Sequence, residues 1–141
     1  MNCVEIIKTM AQLFALDEKI QASYASEIPD EGYGTVFAWN LPHSPLKEVA
    51  INFDDYIPWL EENAVNPDNE AVRFARELSE IYGLMQSASP SIDFWSKQAI
   101  RDRAIWSVVR RTARALLDAM DWPHRIPVPS FEQLVAEIRD N

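Results

Sequence analysis

The side chains best suited to chemistry in this chain are carboxylates, and seven of them lie in one stretch that contains no basic residue. Residues 48–72 include Glu48, Asp54, Asp55, Glu61, Glu62, Asp68 and Glu70, with neither lysine nor arginine. On a helix, residues 54 and 61 lie two turns apart on one side, and residues 55 and 62 share that spacing. Four carboxylates on one ridge could bind a hard divalent cation or form a negative surface for a basic partner.

Two aromatic residues, Tyr56 and Trp59, lie within this acidic stretch. Aromatic side chains in a charged surface are suited to anchoring a protein–protein contact, although both could instead face the core. The competing interpretation is a solvated face that only keeps the protein in solution. The candidate partner-binding residues are Asp54, Asp55, Tyr56, Trp59, Glu61 and Glu62.

A basic stretch lies closer to the other end of the chain, where residues 97–114 hold six basic side chains and one acid. On a helix these basic residues divide between two sides, so they form no single track for a phosphate backbone. The chain as a whole has a net charge of −9, which opposes binding to nucleic acid. We therefore expect no direct nucleic-acid contact and predict that the arginines pair with the chain's own carboxylates; an acidic partner or a second copy is the alternative.

The one acid in the basic stretch, Asp102, falls between Ala99 and Trp106 on the apolar stripe of a predicted helix. An unpaired buried carboxylate would destabilise the fold by several kcal/mol, so a buried Asp102 needs an arginine or a backbone donor as partner. The sequence thus predicts a buried structural polar residue at this position.

No motif for catalysis or for binding a cofactor occurs in the chain. His43 and His124 lie in proline-bounded segments without the spacing of a zinc site. Three glycines are too few to suggest a phosphate-binding loop, and no nucleophile motif is present. We expect a non-enzymatic protein without metal or cofactor.

Composition indicates one folded domain over residues 1–141, with 48% hydrophobic and 25% charged residues. A single cysteine, Cys3, predicts a reducing compartment. Charged residues interrupt the first 25 positions, which argues against a signal peptide, and no apolar run approaches the length of a membrane span. The expected location is the cytoplasm, away from membranes.

The elements that must position these side chains are helices. Apolar periodicity predicts a helix over 3–25, and Ser-Pro or Asn-Pro pairs predict helix starts near residues 44, 66 and 89. The first of these should kink near Pro58, the last should run as one long helix to about 121, and a short helix should cover 130–139. The expected fold is a mainly α, compact single-domain bundle of five or six helices.

A minor two-strand β element around residues 35–53 is the alternative to the helix that starts near 44. Residues 35–41 are rich in β-branched and aromatic types, and Val49, Ile51 and Phe53 alternate as in a strand. We favour the helix because residues 46, 49, 50, 53, 57 and 60 form a complete helical stripe. The choice decides where the carboxylates point.

These features predict an acidic protein-binding module that covers a basic surface of a partner protein. Its physical character matches that of inhibitors and neutralisers such as immunity proteins, antitoxins and phage or plasmid counter-defence proteins, with a toxin or nucleic-acid-handling enzyme as the partner. One alternative is a homodimerisation or regulatory module that uses helix 90–121 through a strip of Ile100, Ala104 and Val108. A second is a metal-dependent enzyme with a carboxylate cluster.

Overall fold

The regular elements of the protein are helices throughout the part of the chain that its computed structural model describes, residues 1–24, 45–63, 70–89, 91–127 and 131–140. The predicted mainly α-helical, compact bundle is confirmed. The elements in chain order are α1 (Cys3–Ala15), α2 (Glu18–Ala22), α3 (Pro45–Asn52), a 3-10 segment (Phe53–Tyr56), α4 (Ile57–Asn63), α5 (Glu70–Ser87), α6 (Lys97–Asp102), α7 (Ala104–Ala119) and α8 (Phe131–Asp140).

The first predicted helix is divided into α1 and α2. Leu16 and Asp17 have extended backbone conformations, with ψ of 154° and 162°. The carboxylate of Asp17 accepts hydrogen bonds from the backbone N–H groups of Lys19 and Ile20, at 3.0 and 3.1 Å. An aspartate that caps a new helix in this way competes with continuation of the previous one. The expectation of one uninterrupted helix over 3–25 is therefore wrong.

Residues 45–63 are helical without a gap, which confirms the preferred helix for 45–53; the strand predicted at 35–41 lies outside the described residues. The helix narrows to 3-10 geometry over Phe53–Tyr56, and the N–H of Ile57 bonds to the carbonyl of Asp54. Pro58, one position further, has no N–H to offer that carbonyl. The distortion predicted near Pro58 thus takes the form of one tightened turn.

The long helix predicted for 90–121 is shorter and divided. It begins only at Lys97, after Asp93 accepts backbone hydrogen bonds from residues 95 and 96 and the hydroxyl of Ser96 caps Ala99 N. Arg103 is extended, with φ −79° and ψ 130°, and separates α6 from α7. The apolar period continues across this break, so periodicity alone does not reveal it.

Helix α7 ends with Asp121 in the left-handed region, at φ 56°. Two backbone hydrogen bonds close this end, from Asp121 N to Asp118 O at 3.1 Å and from Trp122 N to Leu117 O at 2.9 Å. This pair of bonds forms a Schellman motif, which satisfies the last carbonyls of the helix and turns the chain back toward α1.

The core lies where α1, α5 and α7 pack together, with aromatic rings at its centre. The ring of Phe14 lies 5.0 Å from that of Tyr82 and 6.3 Å from that of Trp106. Phe53 contacts Tyr82 edge-on at 5.8 Å, and Trp95 contacts Trp106 edge-on at 5.5 Å. This ring cluster fixes the 3-10 segment, and with it the start of α4, against α5.

None of the described helices combines the length and the apolarity that a membrane-spanning segment requires.

Candidate functional site

The buried face of residues 53–60 determines which carboxylates of the acidic stretch reach the surface. Phe53, Tyr56, Ile57 and Leu60 follow helical spacing and are all buried. With this face turned inward, the positions of Asp54 and Asp55 between the buried residues, and of Glu61 and Glu62 after them, face outward. Asp54, Asp55, Glu61 and Glu62 are each exposed.

The two aromatic residues predicted as anchors differ in their exposure at this surface. Tyr56 is only 8% exposed and belongs to the core, so its predicted role as a surface anchor is wrong. It occupies the position three residues after Phe53, where the helix faces inward. Trp59 is half-buried and packs against the core, which leaves part of its ring at the surface.

Two of the four carboxylates are held by helix α5. The hydroxyl of Ser79 donates a hydrogen bond to Asp54 Oδ1. Arg76 donates to Glu61 Oε1 from Nη2 at 2.5 Å and from Nε at 3.2 Å. These contacts join α5 to the 3-10 segment and α4, so Asp54 and Glu61 act first as structural groups.

The other two carboxylates form the outer edge of the helix. Asp55 and Glu62 are exposed and make no hydrogen bond or ion pair within the described residues. Ile51, which is 46% exposed, and the exposed Pro58 alternate with them on the same side. We refer to Ile51, Asp55, Pro58 and Glu62 as the acidic ridge.

A metal site at these carboxylates lacks a ligand set. Across the described ranges, no group of three or more histidine, cysteine, aspartate or glutamate side chains is placed to hold an ion. Asp54 and Glu61 each accept a hydrogen bond from a donor on α5 rather than converging on a common point. The arrangement is that of a charged surface stabilised from one side.

Three arginines of the basic stretch bond to carbonyl oxygens and not to carboxylates. Arg110 is 7% exposed and donates from Nη1 to Gln21 Oε1 at 2.9 Å and to Ile100 O at 3.1 Å. Arg114 Nε donates to Ala15 O at 3.0 Å, and Arg103 Nε donates to a backbone carbonyl at residue 93. The predicted pairing with carboxylates is wrong for these three residues.

Burial has an electrostatic consequence at Arg110. Desolvation lowers the pKa of its guanidinium from the usual value, while the charge of Glu18 opposes that shift. The carbonyl and amide oxygens around Arg110 replace lost water but supply no full negative charge. The residue therefore serves to join helices, and its exposure to a partner is minimal.

Gln21 is the centre of this junction and gave no signal in the sequence. Its side chain is fully buried; its Nε2 donates to Leu13 O at 3.2 Å and to Phe14 O at 3.0 Å, while its Oε1 accepts from Arg110. One glutamine thus satisfies the carbonyls left open at the end of α1 and orients the buried arginine. Its partners lie too far along the chain for local patterns to reveal.

Asp102 is exposed, so the prediction that it is a buried structural polar residue is wrong. It ends α6, and the extended Arg103 that follows rotates the chain before α7 begins. Ala99 and Ile100 take the inward positions of α6, and Trp106 that of α7. The carboxylate that continuous periodicity placed inward therefore lies at the surface.

Comparison with known proteins identifies no relative of this chain. No protein-family model, no curated protein and no solved structure matches the chain. The acidic ridge and the contacts that hold it are therefore the observations from which a function is inferred.

Proposed function

We propose that this chain is a non-enzymatic acidic protein-binding module whose acidic ridge covers a basic surface of a partner protein. One observation carries the proposal: Asp55 and Glu62 are exposed, have no partner among the described residues, and alternate with the exposed apolar residues Ile51 and Pro58. Charges without an internal partner can bind a cation without breaking a contact in the fold. Apolar groups between them supply area that is desolvated on binding.

The distribution of charge over the chain supports the same function. Residues 1–80 hold 15 acids and 5 bases, whereas residues 81–141 hold 7 acids and 8 bases. The negative excess therefore comes entirely from the part that carries the ridge. Such asymmetry raises the association rate with a basic partner and orients the approach.

The backbone beneath the ridge is held before any partner binds. Ser79 and Arg76 hold the neighbouring carboxylates from α5, and Phe53 inserts into the aromatic core. A surface that needs no ordering loses little conformational entropy on binding. This rigidity favours an inhibitor or neutraliser over an adaptable scaffold.

The partner class follows from the chemistry of the ridge. Two carboxylates at helical spacing present negative charge in a row, as a nucleic-acid backbone does. A protein whose working surface is basic, such as a toxin or a nucleic-acid-handling enzyme, offers the complementary charges. By covering that surface in the cytoplasm, this chain would inhibit the partner protein through binding alone, without catalysing a reaction.

Affinity capture from the native host tests this function with two matched variants. The ridge variant is Asp55→Asn with Glu62→Gln, and the control is Asp102→Asn with Glu132→Gln, which removes two exposed carboxylates from other helices. We expect a basic protein to be captured by the wild type and the control and lost by the ridge variant. Undiminished capture by the ridge variant would overturn the proposal, and an equal loss of capture by both variants would show that total charge, not the ridge, is responsible.

A homodimer is the second candidate function, supported by a groove of about 460 Å³ between α5 and α7. Its lining includes the apolar residues Ile81, Val108 and Leu84, the last being 66% exposed. Glu80 of α5 and Arg111 of α7 also line it. A two-fold axis through the groove would bury the apolar residues and place Glu80 of each copy near Arg111 of the other.

The residues that line this groove differ from the apolar strip predicted for a dimer contact. Ile100 is fully buried and unavailable, while Ala104 is exposed and Val108 half-buried. The apolar surface that remains includes residues of α5, which the sequence strip omitted.

Sedimentation equilibrium of charge-swapped variants tests the dimer. Wild-type protein should sediment with twice the monomer mass of 16.2 kDa. The variant Arg111→Glu should raise the dissociation constant of the dimer about tenfold or more. Adding Glu80→Arg to this variant should restore the affinity. A wild type that stays monomeric at about 0.1 mM, a concentration well above a micromolar dissociation constant, would exclude this candidate.

A further inference from the structure

A second concave site lies between the end of α1, the start of α2 and the chain that follows α7. It encloses about 320 Å³, at the lower limit of ligand-sized clefts. Its lining combines the basic side chains Arg114, Arg125 and His124 with the apolar side chains Leu16, Ile20 and Ile126. It shares no residue with the acidic ridge, so it is independent of the function proposed above.

The arginines of this cleft retain unused hydrogen-bond donors. Arg114 donates from Nε to Ala15 O, but its two terminal nitrogens contact no acceptor in the described part of the chain. Arg125 is exposed and makes no hydrogen bond or ion pair there. In a protein with 22 acids and 13 Lys and Arg residues, two arginines at one cleft that pair with no carboxylate are a departure from the overall charge.

Two carboxylates at the cleft, one in its lining and one bonded to a lining residue, are already engaged. Asp17, which lines it, accepts the two backbone hydrogen bonds that cap α2. Asp118 lies 2.7 Å from His124, between Oδ1 and Nε2. By formal charge, two arginines against Asp17 leave the lining positive, so an anion is the ligand that the cleft favours.

The apolar part of the cleft is held in place by the segment after α7. Gln12 Nε2 donates to Pro123 O at 3.0 Å and fixes this segment against α1. Ile126 follows and remains 53% exposed, facing the cleft together with the half-buried Ile20. A purely inorganic anion would leave both side chains in contact with water.

We infer that this cleft binds a small organic carboxylate with an apolar stem. The planar guanidinium fork of an arginine matches a carboxylate with two parallel hydrogen bonds, which Arg114 and Arg125 are free to make. The stem then covers Ile20 and Ile126. A chain of about six carbons fits the volume because clefts of this size enclose small ligands.

Titration of the full-length, ¹⁵N-labelled protein with hexanoate tests the inference. Saturable shifts are expected at the amides of residues 20, 125 and 126. The variant Arg125→Gln should weaken hexanoate binding about tenfold, as loss of a charge-assisted pair requires, and Arg125→Lys should weaken it less. The control Arg101→Gln removes an exposed arginine of α6 that does not line the cleft, and should leave the affinity within about twofold.

Two further ligands separate the charged from the apolar contribution. Hexanol and inorganic phosphate should each bind at least about tenfold more weakly than hexanoate, because each lacks one of the two features. Phosphate binding as tight as hexanoate would overturn the inference, as would equal hexanoate affinity in wild type and Arg125→Gln. Absence of saturable shifts with hexanoate would overturn it as well.

Discussion

At the scale of single residues, the core contains a polar group without a partner. The hydroxyl of Tyr82 is buried and has no hydrogen-bond partner among the described residues, while its ring packs against Phe14 and Phe53. Desolvation raises the pKa of this phenol well above 10.0. The ring therefore stabilises the core and the hydroxyl opposes it.

Replacement of Tyr82 by phenylalanine should increase the free energy of unfolding by about 1 kcal/mol, the cost of leaving such a hydroxyl unsatisfied. Urea denaturation at neutral pH measures this change. A variant that is less stable than the wild type would show that the hydroxyl has a favourable contact.

The same substitution has a consequence for pH dependence. The pKa of Tyr82 is higher in the folded state than in the unfolded state, so ionisation favours unfolding once the pH exceeds about 10. Stability from this residue is complete below that pH and is lost above it. The gain in stability from Tyr82→Phe should therefore grow between about pH 9 and pH 11.

At the scale of helices, the junction of Gln21 and Arg110 connects α1, α2, α6 and α7 through side-chain to carbonyl bonds. Truncation of Gln21 to alanine leaves the buried guanidinium and the carbonyls of α1 without one of their partners. We expect this variant to lose about 2–3 kcal/mol in urea denaturation. The matched control Gln98→Ala, at an exposed position of α6, should change stability by less than about 0.5 kcal/mol.

A loss of stability at Gln21→Ala no larger than that of the control would mean that water replaces the glutamine without cost. The hydrogen bonds of Gln21 would then result from the packing of the helices and would not stabilise it.

Local patterns predicted the positions of helices better than their interruptions. Apolar periodicity located the helical regions, because amphipathic spacing follows directly from burial of one face. The helix start predicted near residue 44 agrees with α3, which begins at Pro45, whereas the start predicted at Ser89 was wrong because α6 begins at Lys97. The extended residues at 16–17 and at Arg103 were missed, since the apolar period continues past both. The error at Asp102 follows from the second break alone.

The candidate site was predicted in part for the same reason. Exposure of Asp55 and Glu62 follows from the helix that begins at Pro45 and from the inward face of Phe53. Two of the carboxylates are bonded to α5 and the other two are not. This difference depends on Ser79 and Arg76, which are 25 and 15 residues away from their partners. Contacts of that separation depend on tertiary packing and leave no periodic signal.

At the scale of the whole molecule, charge is distributed unevenly between two surfaces. The ridge on the α3–α4 side carries free negative charge, while the cleft beside α2 and α7 carries free positive charge in an otherwise acidic protein. Fields of this kind act over about 10 Å at moderate salt and affect the rate at which partners meet. A partner surface at the acidic ridge should therefore affect the rate of association as well as the affinity.

The association rate with the captured partner, measured by stopped flow at low and high salt, tests that claim most directly. Charge reversal by Asp55→Lys with Glu62→Lys should reduce the rate constant about 100-fold at low salt and much less at high salt, because screening removes the long-range attraction. The variant Asp102→Lys with Glu132→Lys, which changes net charge equally, should retain most of the rate. Equal rate constants for the two reversed variants would contradict a partner surface at the acidic ridge.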